Sequence, residues 1–332
     1  MTVTSLGSPG FTVDPWDPGY AAALAAEALT EGGAELGASS ATLDLEVEVP
    51  AAKWGPVTPA PGTSVPAVLL IADGVRRIDA RVWIDDPDGA MPAPGIAASY
   101  AAGLVRCEPG AGNAAVLAAL EVRRSLFSPS PHVADVVTGV GRYSARPAAD
   151  GSVEALSLAL QQQVTALEVE LAASYRAGGG QELLLVDGPL RGRTHLSGTV
   201  GYIKTHHTAY LPPPQAAVVS ALRGGQRTPV FQMGTSWRRH AWYLRLPTAS
   251  TAPWAGIARC EAGADLSAEE VVTLADAMAL VLPSLAGVDY KDPRAPQNLV
   301  PIGGLERLLR HRLGEPRVLY RALRASAARP GA

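Results

Sequence analysis

Two short apolar runs, Val68-Leu69-Leu70-Ile71-Ala72 and Leu183-Leu184-Leu185-Val186, each close on an aspartate followed by glycine, Asp73-Gly74 and Asp187-Gly188. A brief continuous apolar run bounded by a turn signal reads as a strand buried on both faces. Between the runs, residues 156, 160, 164, 167, 171 and 175 form an apolar stripe at helical spacing, and Gly178-Gly179-Gly180 stops it. Strand, helix and strand in that order constrain the chain to an α/β fold with a mixed sheet.

The remaining elements follow from the same periodicities. Asp73-Gly74 reads as a turn, so that Val68–Ala72 and the alternating Ile78–Ile84 make a hairpin. Further strands are expected at Gly103–Cys107, Thr199–Lys204, Ala241–Leu246 and Gly256–Cys260, with a half-exposed edge strand at Thr42–Val49. Helices are expected over Gln215–Leu222, over Ser267–Leu282 with a Ser267/Glu270 capping box, and over a final Leu305–Leu313 stopped by Gly314. Residues 1–64 read as a Pro/Gly-rich N-terminal extension with a helix at Pro18–Leu29 and a linker from Ala51 to Pro66. The folded domain then covers 65–325, and 326–332 reads as a disordered tail.

Composition excludes several function classes. A net charge of −3 argues against a generally basic nucleic-acid coat, and no apolar run is long enough to span a bilayer. The first residues lack the basic end and apolar core of a signal peptide. Cys107 and Cys260 stand far apart without metal-binding spacing, so they read as cytoplasmic thiols. The charge is uneven, however: Arg307, Arg310, Arg312, Arg317, Arg321, Arg324 and Arg329 crowd the C-terminal stretch, a pattern suited to a phosphate backbone or an acidic partner. Lysine survives only at Lys53, Lys204 and Lys291, where a compact ammonium offers point-charge contact that a planar guanidinium does not.

Carboxylates brought together repel unless a cation sits among them, and for oxygen ligands that cation is Mg²⁺ or Mn²⁺. Asp73 and Asp187, on neighbouring strands, are the expected bridging ligands. A helix glutamate would complete the cage; Glu168 and Glu170 flank the inward stripe on opposite sides, with Glu168 preferred and Glu170 the close second. Lys204 closes its strand soon after Asp187 and is expected in the same site. His206 and His207 are weaker candidates, and His195 weaker still. Asp292, Arg294, Gln297 and Asn298 offer polar groups on a proline-fixed segment before a helix. The chain has no nucleophile elbow, Walker-type loop or dinucleotide fingerprint. Divalent ions on shared carboxylates point to phosphodiester hydrolysis.

The motifs Ala72-Asp73-Gly74-Val75-Arg76-Arg77, Leu167-Glu168-Val169-Glu170, Val186-Asp187-Gly188-Pro189-Leu190, Gly201-Tyr202-Ile203-Lys204 and Arg227-Thr228-Pro229-Val230-Phe231 come in an order that resembles NurA-type nucleases. The stretch from Asp292 to Glu306 resembles that family's closing motif. The resemblance covers about Pro66 to Leu323. It implies an RNase H-like core related to the PIWI module, Mn²⁺- or Mg²⁺-dependent cleavage of DNA ends by two ions, and a homodimer. It also implies a hexameric HerA-type translocase as partner in end resection during double-strand break repair. By motif position, Asp73, the helix glutamate and Asp187 would hold the metal. Asn298 and Glu306 stand where better-studied members carry a tyrosine and a histidine, which makes Glu306 the candidate last ligand. Arg76, Arg77, Arg294, Asn298 and Arg310 are the candidate DNA contacts. A catalytically inactive interaction subunit on a translocase, or an α/β enzyme acting on a small phosphorylated substrate, are the alternatives.

Overall fold

The computed structural model describes residues 10–15, 37–38, 40–88, 91–110, 114–180, 182–191, 193, 196–206, 208–235, 237–250, 252, 254–288 and 290–327. The expected helix at Pro18–Leu29, together with His195 and His207, lies outside these. Short strands β1 (Phe11–Val13), β2 (Gly37–Ala38) and β3 (Thr42–Asp44) precede three long ones, β4 (Leu69–Ile84), β5 (Ala93–Cys107) and β6 (Ala115–Ser128). Then come β7 (Val136–Thr138), β8 (Gly141–Pro147), helix α1 (Val153–Ala177), β9 (Leu183–Asp187), β10 (Thr199–Ile203) and β11 (Thr208–Ala209). The C-terminal part runs α2 (Pro213–Ala221), β12 (Phe231–Gly234), β13 (Arg238–Arg245), β14 (Ile257–Gly263), α3 (Ala268–Val281), α4 (Val300–Arg312) and α5 (Pro316–Ala327).

A 12-stranded mixed sheet of order β3-β12-β13-β14-β10-β9-β4-β5-β6-β8-β7, with β1 paired to β4, organises the described residues. Strand β9 runs parallel to both β4 and β10 at its centre. Because side chains alternate along a strand, Leu69, Ile71 and Val75 of β4 enter one core with Val271, Met278, Ile302, Leu305 and Leu309 of α3 and α4. Leu70 and Ala72 enter the other, beneath Leu156, Leu160, Val164 and Leu167 of α1. Helix α1 matches its stripe: Ser152 accepts from the Ala155 N–H as N-cap, and Gly178 closes the helix. The Ser267/Glu270 capping box is also present.

The hairpin expected at Asp73-Gly74 is not there. The strand runs straight through both residues to Ile84, and its antiparallel partner is β5. Pairing with β9 ends at Ala72, so Asp73 stands where β4 parts from β9 while remaining bonded to β5. Gly74 stays extended because its missing Cβ makes room for helix α1: a methyl there would lie 2.5 Å from both Glu168 Oε1 and Val164 Cγ1. A bulge at Asp79 then shifts the β4–β5 register between Ile78 and Ala80. The buried Asp79 carboxylate accepts from Arg77, Ser99 and Tyr143.

The expected edge strand ends at Asp44, five residues early, because Glu48 turns inward to accept Arg227 at 2.8 and 3.0 Å and the Val230 N–H at 2.7 Å. Helix α4 starts at Val300 rather than Leu305, with proline in its first turn, and it is not the last helix: α5 follows Gly314, whose φ is +86°. None of the helices among the described residues is long and apolar enough to cross a membrane.

Candidate metal centre

Three acidic residues from distant parts of the chain converge where β4 and β9 separate. Asp73, Asp187 and Glu306 each offer one carboxylate oxygen, and these atoms lie within 4.8 Å of one another. Strand alternation turns Asp73 and Asp187 toward the face covered by α4, which supplies Glu306 from its second turn. Asp73 is buried; its Oδ1 accepts the Gly74 N–H at 2.8 Å, while its Oδ2 is buried with no hydrogen-bond partner among the described residues.

Basic and amide groups frame the cluster. Lys204 Nζ donates to Asp187 Oδ2 at 2.6 Å and to Asn298 Oδ1 at 3.0 Å. Asn298 Nδ2 donates in turn to Asp292 Oδ2 at 2.6 Å. Arg294 grips both oxygens of Glu306, at 3.0 and 2.7 Å, and also reaches Asp292. Burial, then the charges of Asp187, Glu168 and Glu306, push the Asp73 carboxyl well above the usual carboxylate range; Lys204 opposes them. Burial likewise raises Asp187, against the pull of Lys204. Burial acts to raise Glu306 too, but Arg294 outweighs it and holds this carboxyl below its ordinary value. At Asp292 burial is overcome by hydrogen bonds from Asn298 and Arg294, which hold the group down to about 2.

The donor set fits a hard divalent cation. It consists of three carboxylates with oxygens at ligand spacing, one of them, Asp73, also carrying a buried unpartnered oxygen, in a place where burial and then the neighbouring like charges disfavour ionisation.

Several candidates from the sequence stand elsewhere. Glu168 is buried near the cluster but on the α1 side, where it forms an ion pair with Arg193; its oxygens are not among those that converge. Glu170 does not join the cluster: its side chain is 53% exposed and pairs at 2.6 Å with Arg123 of β6, which draws it sideways along the sheet and away from the three carboxylates. Asn298, expected to contact DNA, is 1% exposed and engaged internally by Lys204 and Asp292. Arg77 is likewise drawn inward, donating to Asp79 and to the Gly314 carbonyl at the end of α4. Arg294 is half-exposed but committed to Asp292 and Glu306. Arg76, which donates to the Ser157 carbonyl, and Arg310 are exposed. His206 bonds the Ile257 carbonyl at 3.2 Å and lies tilted against the Trp254 ring, outside the acidic cluster. Arg193, the partner that removes Glu168 from the cluster, carried no signal in its own short loop.

No protein-family model matches the chain, and no curated protein matches it. The fold and the site together define a mixed α/β protein with a three-carboxylate cluster at a fork in its sheet.

Proposed function

We propose that this chain is a divalent-cation-dependent DNA nuclease of the NurA type, built on an RNase H-like core. The observation that carries the reading is the convergence of Asp73, Asp187 and Glu306, with one buried oxygen of Asp73 unpartnered. These three residues would hold Mn²⁺ or Mg²⁺, two ions by the resemblance. A bound ion of this kind supplies a water made nucleophilic near neutral pH and neutralises charge on the leaving oxygen. Lys204, held between Asp187 and Asn298, presents its ammonium beside the carboxylates, where it can meet a non-bridging phosphate oxygen. Arg294 fixes the orientation of Glu306 through a two-pronged grip. Of the five candidate DNA contacts, Arg76 and Arg310 are the two left for the DNA backbone, exposed and without an acidic partner among the described residues. A homodimer and a hexameric HerA-type translocase acting at DNA ends belong to the same reading, and rest on the sequence resemblance.

The test is degradation of linear DNA in Mn²⁺ or Mg²⁺ against EDTA. Metal-dependent cleavage by the wild type should fall at least about 100-fold in Asp73→Asn and Asp187→Asn. An unchanged rate in both variants overturns the proposal. One observation favours a second reading, a non-catalytic subunit that docks on a translocase: Lys204 and Arg294 already neutralise Asp187 and Glu306 from within the chain. That reading expects partner binding with no cleavage in any divalent cation.

A further inference from the structure

On the sheet face opposite α3 and α4, two buried arginines share a single counter-charge. Arg239 of β13 and Arg259 of β14 are 5% and 6% exposed, and between them lies the fully buried Glu261. Both guanidiniums donate to the same oxygen: Arg239 Nε reaches Glu261 Oε1 at 2.8 Å and Arg259 Nη2 reaches it at 3.2 Å. The second oxygen accepts the Leu190 N–H at 3.2 Å. Glu261 is the one acidic residue ion-paired with either arginine among the described residues. Among the described residues two cations thus face one anion in a desolvated place, and such an excess of positive charge is costly unless something compensates it.

The guanidiniums also have donors to spare. Arg259 also bonds the Tyr243 side chain, yet Arg239 Nη1 and Arg259 Nε are buried with no hydrogen-bond partner among the described residues. Each group is braced by an aromatic ring, Arg239 at 4.4 Å from the Trp237 centroid and Arg259 at 4.7 Å from that of Tyr210. Stacking fixes the plane of a guanidinium and leaves its edge free to donate. Trp237 and Tyr210 are only half-buried, whereas the two arginines are buried. Arginine pairs with free edges and excess charge suit a tetrahedral oxyanion, which accepts several N–H bonds and carries the missing negative charge.

We infer that Arg239 and Arg259 form a binding site for a phosphate-class oxyanion, flanked by Trp237 and Tyr210 and separate from the carboxylate cluster. The site does not depend on the nuclease reading, and EDTA in every arm removes the metal centre from the experiment. Thermal unfolding of the full chain is followed in inorganic phosphate and in sodium chloride at equal ionic strength. Phosphate should add on the order of 5 °C beyond chloride at saturation. Arg239→Met and Arg259→Met, which keep much of the apolar stem, should reduce that increment to the chloride level. If neither variant folds, Glu261→Gln is decisive: freeing both guanidiniums should tighten phosphate binding by roughly tenfold, whereas an arginine pair that only holds strands together gains no affinity. A phosphate increment that is absent from the wild type, or equal in wild type and both arginine variants, overturns the inference. A parallel arm compares oligonucleotides with 5′-phosphate and 5′-hydroxyl ends, competed by inorganic phosphate. Tighter, competable binding of the phosphorylated end assigns the anion to a nucleic-acid terminus; equal binding assigns it to free phosphate, and either result upholds the site.

Discussion

At the scale of single residues the most consequential group is Asp73. Its carboxyl is raised by burial first and by Asp187, Glu168 and Glu306 after that. The sign of the linkage follows: a raised folded value means the native state holds the proton more tightly than the unfolded chain. The contribution is therefore fully present below the unfolded value, near 3.8, and is lost as pH climbs through the raised folded value. Asp73→Asn removes that dependence. In EDTA the variant should melt above the wild type at neutral pH, and the gap should close as pH is lowered toward 4. Adding Mn²⁺ should reverse the order by raising the wild type alone. Melting curves across pH, with and without Mn²⁺, check this; a gap that is constant with pH would sink the electrostatic account. Asp73 and Asp187 were legible in the sequence because each follows an apolar run. The sorting of Glu168 from Glu170 was not, since it depends on Arg193 and Arg123, which reach those glutamates only in the folded chain.

At the scale of elements, helices were easier to read than strands. The α1 stripe and the α3 capping box are local patterns, so the sequence displays them directly. Strand β6 and the part of β5 before Gly103 escaped for the opposite reason. Their alanines, Ala97, Ala98, Ala101 and Ala102 in β5 and Ala115, Ala118 and Ala119 in β6, have little strand preference, and pairing with distant residues decides their state. Alanine suits β5 because α1 and α4 pack closely over its two faces, as Gly103 against Leu305 and Leu309 also shows. Asp73-Gly74 misled for a related reason. The pair has turn chemistry, but Gly74 is selected by its contact with α1 instead. Gly74→Ala should therefore destabilise the fold by about 1–3 kcal/mol, since Val164 Cγ1 cannot swing aside as Glu168 can. Chemical denaturation measures the loss, and Val164→Ala in the same chain should restore part of it. Additive effects of the two changes would refute the packing explanation.

At the scale of the whole molecule, residues near the N-terminus are part of the sheet that carries the site. Strand β3 pairs with β12 at the far edge, and Arg227 fastens this region to α3. Its guanidinium is 1% exposed and binds Asp276 at 2.6 Å on one side and Glu48 on the other. Glu48 also accepts the Val230 N–H, so one arginine joins a surface segment, a strand approach and a core helix. Removing it leaves two carboxylates facing each other in a partly desolvated place. Arg227→Met should cost about 3–5 kcal/mol, because breaking a buried pair strands its partners. Neutralising those partners in the same chain, as Glu48→Gln with Asp276→Asn, should recover much of the loss. The shape of the transition carries the second half of the prediction. If residues 42–57 fold with the sheet, the variant unfolds in one transition at a lower midpoint, by circular dichroism and by proteolysis between Thr58 and Pro66 alike. Proteolytic release of the N-terminal region well before global unfolding would instead mark it as an extension that the domain does not need.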